Sequence, residues 1–193
     1  MNNKQKLIQI LLEKSLRFGK FKLSSGKETD FYIDGKSTTL DPEASWAIAS
    51  MIIDRIKPGI VAVGGPGYGA AAMVGSVVPV SYAMNRKLNG FFVRDLVKGH
   101  GTRKWIDGKS NIPEGSMVCV LEDTCTTGVS ILSAISKIEA EGLRVGQIIT
   151  VVDRQEGAKE RIEWAGYELE ALISKEDLVN AGMYKKIKKP LDD

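Results

Sequence analysis

Short apolar runs that do not alternate with polar residues recur along this chain: Ile60 to Val63, Pro79 to Ala83, Gly90 to Arg94, Ser116 to Glu122 and Gln147 to Asp153. A strand wetted on one face alternates apolar and polar side chains, so an unbroken run demands burial on both faces. Helical patterns separate the runs. Pro42 stands just ahead of Trp46, Ile48, Ala49, Ile52 and Ile53, which predicts a helix from about residue 42 that ends before Pro58. SILSAISKIEAEGL, residues 130–143, sets Ile131, Ala134, Ile135 and Ile138 on one helical face, with Gly142 placed to cap its end. Doubly buried strands alternating with helices predict an α/β fold with a mostly parallel central sheet flanked by helices.

The flanks read differently. Residues 1–16 carry Leu7, Ile10 and Leu11 at helical spacing, interrupted by Gln9 and bounded by charges, which suits a docking helix and not a signal peptide. Residues 18–36 are short alternating stretches punctuated by Gly19 and Gly26, as in a small antiparallel flap. At 193 residues the expectation is one domain, residues 1–193: an N-terminal helix and hood over 1–40, an α/β core over 41–175, and a C-terminal segment over 176–193. No apolar run reaches membrane-spanning length. Cys119 and Cys125 are the only cysteines, which argues against a disulfide framework and for the reducing cytoplasm. A net charge of +3 is far below that of a dedicated nucleic-acid binder, so neither nucleic acid nor membrane is an expected partner. Trp46 and Trp164 are expected to pack in the interior, and Trp105 to anchor the basic segment before it.

VCVLEDTCTTGVS, residues 118–130, concentrates the chemistry. An apolar strand ends on Glu122 and Asp123, and Thr124, Cys125, Thr126, Thr127 and Gly128 then lead as a small-residue loop into the next helix. Ligands of open α/β sheets collect beyond the strands' carboxyl ends, which puts both acids on a crevice floor. The loop offers backbone N–H groups and hydroxyls at a helix start, where the dipole favours a phosphate. Carboxylates beside a phosphate need another partner, such as ribose hydroxyls or a magnesium shell. The plainer alternative is a strand whose acids merely cap the next helix. The lysine of a nucleotide triphosphatase loop is missing.

This stretch resembles the phosphoribosyl pyrophosphate signature of the type I phosphoribosyltransferases. Three further motifs, FKLSSGKETDFYIDGK (21–36), FVRDLVKGHGTRKWIDG (92–108) and VVDRQEG (151–157), resemble in order the hood, the mobile loop and the late strand of the orotate phosphoribosyltransferases. The resemblance implies the type I phosphoribosyltransferase fold, with a small hood over the strand ends and a mobile loop over about 94–108. It implies transfer of ribose 5-phosphate from phosphoribosyl pyrophosphate to orotate, with Mg2+ as cofactor. By the same resemblance Arg94, Lys98 and His100 bind pyrophosphate, in a homodimer whose loop reaches into the neighbour's site, while Asp123 serves the chemistry. Glu122 and Asp123 would hold the ribose, Thr124 to Gly128 the 5-phosphate, and Phe31, Tyr32 and Arg154 the orotate. The residue types suit those tasks: cations stabilise a departing pyrophosphate, aromatic rings cover a flat base, and a guanidinium fork grips a carboxylate.

Each assignment has a plainer counterpart. Phe31 and Tyr32 read equally as core, the Gly64 to Met73 stretch as a tight turn where a pyrophosphate nest is the alternative, and Cys125 as a tolerated small residue. Three positions depart from the family pattern: Asp95, commonly a lysine; Gly69, beside which some members carry a lysine; and Ser24, where some relatives have a base-contacting lysine. Rival functions are transfer to a purine, or a non-catalytic sensor of phosphoribosyl pyrophosphate.

Overall fold

The computed structural model describes residues 2–22, 28–95 and 104–183. Chain order is α1 (Asn3–Ile10), β1 (Leu16–Lys22), β2 (Glu28–Ile33), α2 (Gly35–Thr39), α3 (Pro42–Arg55), β3 (Ile60–Pro66), α4 (Gly67–Ala83), β4 (Asn89–Val93) and β5 (Ile106–Asp107). There follow β6 (Met117–Cys125), α5 (Val129–Ala140), β7 (Arg144–Asp153), α6 (Ala158–Trp164), β8 (Leu169–Ser174) and α7 (Lys175–Leu178).

Six strands form one sheet in the order β5-β4-β3-β6-β7-β8, parallel except for β5 at its edge. Successive residues of β6 explain its unbroken apolar run. Cys119 and Leu121 join a core with Leu7 of α1, Ile48 and Ile52 of α3 and Met73 of α4. Val118 and Val120 join the opposite core with Ile131, Ile135 and Ile138 of α5 and Ile162 of α6. The strand is wedged between two helical layers, so both of its faces must be apolar. The antiparallel pair β1–β2 forms a separate two-stranded element, as the flap pattern predicts.

Helix α3 starts where Pro42 indicated. Asp41 caps it, accepting N–H bonds from Glu43 at 3.0 Å and Ala44 at 2.9 Å. Gly142 takes the left-handed conformation at φ 76° just beyond α5.

Three expectations change. Pro79 to Ala83 is not a strand but the last turn of α4, a helix that carries Pro79 in its interior. Val74, Val77 and Val80 of this helix are buried, and that burial offsets the hydrogen bond Pro79 cannot donate. The strand of the acidic motif also runs on: Asp123, Thr124 and Cys125 belong to β6, where Cys125 pairs with Asp153 of β7, and the loop shrinks to residues 126–128. Trp46 and Trp164 do not pack in the interior, being 58% and 94% exposed.

Candidate active site

The chain reverses its direction of sheet growth at β3. Strand β4 is added on one side and β6 on the other, so the carboxyl ends of β3 and β6 splay their outgoing segments apart. A cavity of about 330 Å³ lies there, lined by Lys36, residues 66–69, Asp95, Glu122, Asp123 and Ser130.

The two adjacent acids of β6 are seated by different helical layers. From the α5 side, the Ser130 hydroxyl donates to Glu122 Oε2 at 3.0 Å. Glu122 is buried; removal from water, then the neighbouring Asp123 carboxylate, pushes its pKa up to about 8. From the other side, Asp123 lies between Gly35 of α2 and Gly69 of α4. A Cβ at either glycine would overlap the Asp123 carboxylate. The Asp123 Oδ1 also accepts the Thr124 N–H at 2.8 Å. The Thr124 hydroxyl is buried and has no hydrogen-bond partner among the described residues, which is costly unless a ligand supplies one.

Both helices that open onto the crevice begin without a side-chain cap. Helix α4 starts at Gly67 directly after β3, and α5 starts after Gly128, itself left-handed at φ 76°. Their first-turn N–H groups are therefore available to an anion. Thr126 and Thr127 are half-buried in the short loop ahead of α5, while Cys125 is buried and its thiol pushed up to about 12 by desolvation and the nearby Glu122 and Asp153. That thiol is a packing group.

Arg94 follows β4, and its guanidinium is paired with Asp107 of β5, Nε donating to Oδ2 at 2.7 Å. Lys137 of α5 braces the same region, donating from Nζ to the Arg94 carbonyl at 2.8 Å and to the Asp95 carbonyl at 3.3 Å, while it lies 4.9 Å from the Trp105 ring centroid. The Trp105 backbone N–H donates to the Glu141 carboxylate at 2.8 Å. Trp105 is thus held against α5 and its end. Lys98 and His100 lie outside the described residues, as does the Phe31 side chain.

Tyr32 stands in the β1–β2 element with its ring 5.6 Å from that of Phe21. Arg154 is 2% exposed, with Glu156 as an ion-pair partner at 2.9 Å, and its backbone N–H donates to the Cys125 carbonyl at 2.9 Å. The geometry therefore groups Glu122 and Asp123 with the α4 start, holds Arg94 one residue from the cavity-lining Asp95, and leaves Tyr32 and Arg154 off the cavity wall. Sequence reasoning missed Lys36, Gly35 and Ser130. Two of these lie at the end of the hood motif and one at the end of the acidic motif, but only folding brings the motifs together.

No family model matches the chain. A Nostoc protein named orotate phosphoribosyltransferase is 38% identical over 175 residues, which cover 91% of this chain and 84% of the relative. The chain belongs to the orotate phosphoribosyltransferases. Structures agree with this family: the phosphoribosyltransferase of Corynebacterium diphtheriae superposes with a TM-score of 0.78 at 34% identity, covering 93% of this chain and 99% of that one. The Mycobacterium tuberculosis orotate phosphoribosyltransferase in complex with 5-phospho-α-D-ribosyl 1-diphosphate gives 0.70 at 29% identity, over 92% and 99% of the two chains. The fold is that of the type I phosphoribosyltransferases. Among the described residues no helix is long and apolar enough to cross a membrane.

Proposed function

We propose that this protein transfers ribose 5-phosphate from phosphoribosyl pyrophosphate to orotate, giving orotidine 5-phosphate and pyrophosphate for pyrimidine synthesis. The observation that carries the reading is the Glu122–Asp123 pair at the β3/β6 crevice, flanked by the uncapped starts of α4 and α5. Such a crevice matches a sugar bearing an anion on each side. The acids accept hydrogen bonds from the ribose hydroxyls, and the Thr124 to Gly128 segment with the first turn of α5 takes the 5-phosphate.

In the reaction the bond from sugar C1 to the pyrophosphate oxygen breaks, its electron pair leaving with pyrophosphate, while an orotate ring nitrogen already without its proton forms the new bond to C1. Arg94, Lys98 and His100, supplied by the second copy of a homodimer, neutralise the leaving charge. Phe31 and Tyr32 cover the base, and Arg154 takes its carboxylate. The protein contributes the adjacent Glu122 and Asp123 carboxyls, a donor set that suits a magnesium ion carried on substrate oxygens better than one held by protein alone. Magnesium, when bound, withdraws electron density from the leaving oxygens. One domain, residues 1–193, carries these functions, and the buried free thiols Cys119 and Cys125 suit the cytoplasm.

Mixing purified protein with orotate, phosphoribosyl pyrophosphate and magnesium, with adenine, hypoxanthine and uracil as parallel acceptors, tests the assignment. Loss of orotate absorbance with the other bases inert supports it. Turnover of a purine in its place, or saturable donor binding without turnover of any base, refutes it, the latter in favour of a sensor.

A further inference from the structure

The cavity presents an electrostatic problem. Asp95, Glu122 and Asp123 all line it, and a substrate carrying pyrophosphate must approach those carboxyl groups. A cation from α4 is ruled out sterically at Gly69, because any side chain there would start inside the Asp123 carboxylate. Residue 95, another position facing the cavity, is itself an acid. Among the described lining residues the one cation is Lys36, on α2.

Lys36 is built into place. Asp34 caps α2, accepting the Lys36 backbone N–H at 3.2 Å and the Ser37 hydroxyl at 3.1 Å. The same carboxylate lies 3.1 Å from the Lys36 ammonium, whose side chain stays 52% exposed. Asp34 can accept only part of what an ammonium with three N–H donors offers. The hydrogen bond to Asp34 also raises the Lys36 pKa, keeping the group charged.

We propose that Lys36 is a substrate-binding residue whose ammonium pairs with the pyrophosphate of the phosphoribosyl donor within its own subunit, opposite the Gly67 to Gly69 turn. This inference rests on the transferase reading above. It gives α2 a role in the site and answers with one residue the two departures that border this cavity: the charge missing beside Gly69 and at position 95 arrives from the hood side. A lysine that served only to steady Asp34 would affect both substrates alike or neither.

Steady-state kinetics of Lys36→Met and Lys36→Arg, with each variant's Tm checked against wild type, give the first test. Lys36→Met should raise the KM for phosphoribosyl pyrophosphate and the inhibition constant of pyrophosphate by about ten- to a hundredfold, as expected for a lost charge-assisted hydrogen bond. The orotate KM should move less than about threefold, and Lys36→Arg should recover most of the loss. Unchanged donor KM in folded Lys36→Met, or an equal rise for both substrates, overturns the proposal. A second measurement needs no variant: amine acylation of the wild-type protein, read at Lys36 by mass spectrometry. Magnesium pyrophosphate should protect Lys36 and orotate alone should not; equal labelling with and without pyrophosphate overturns the inference. Failure of the wild type to consume orotate would instead strike the transferase reading, and the labelling result would still decide the role of Lys36.

Discussion

The Ser130 hydroxyl, from the first turn of α5, donates to the buried Glu122 carboxyl at 3.0 Å. The contact only partly opposes desolvation and the Asp123 charge, which together lift Glu122 from 4.5 to about 8. Between those values the native state holds a proton that the unfolded chain has released, so this group's stabilising contribution falls as pH rises through the interval and is fully present only below it. Glu122→Gln should therefore be more stable than wild type at pH 8.5, with the advantage gone at pH 4. Chemical denaturation at the two pH values checks this; a pH-independent difference contradicts it.

Gly69 and Gly35 hold Asp123 by having no side chain. Gly69→Ala should lower stability by about 1–3 kcal/mol through overpacking, and should reduce kcat/KM as Asp123 is displaced. The stability loss should shrink in an Asp123→Ala background, because the obstructed group is gone. A double-mutant cycle measured by urea denaturation would show the coupling, and strict additivity would remove this explanation.

Arg94 is paired with Asp107 across the stems of the basic segment. Because the pair is part-exposed, Asp107→Asn should alter stability by less than about 1 kcal/mol. Arg94→Ala should abolish most turnover while leaving the fold intact. If Arg94 serves the neighbouring site, mixing inactive Arg94→Ala with inactive Asp123→Asn should restore about a quarter of wild-type activity. Half the dimers are then mixed, and each mixed dimer has one intact site. Absence of recovery after subunit exchange argues for action in cis.

Burial pushes both cysteine thiols up, Cys125 to about 12, so the thiolate is scarce at neutral pH. Native protein should resist iodoacetamide until unfolded, and Cys125→Ser should keep kcat within about threefold of wild type. Rapid native alkylation at Cys125 would show a more open cradle.

The sheet was readable because doubly buried strands leave unbroken apolar runs, and α3 because Pro42 marks its start locally. Pro79 misled because apolar α4 residues carry no polar face to reveal helical periodicity, and the helix tolerates the missing donor inside its core contacts. The strand's extension through Cys125 depends on pairing with Asp153, a contact that no local pattern encodes. Trp46 and Trp164 show that aromatic size alone does not decide burial. Within the site, Glu122 and Asp123 stood out because adjacent acids after an apolar run are locally conspicuous. The seat of Asp123 did not, since Gly35 and Gly69 meet it only once three distant segments are assembled. Lys36 stayed hidden for the same reason: a lysine beside an aspartate reads as a solvated pair until a cavity forms next to it.

The placement of two neighbouring acids against opposite helical layers has a practical side. Changes confined to the first turn of α5 would retune the proton affinity of Glu122, while changes in α2 or α4 would shift the position of Asp123. The carboxyl groups meet at one cavity, but their supports come from hydrophobic cores that are built separately. A single peptide step along β6 thus gives protein engineers two adjustable handles on one cavity.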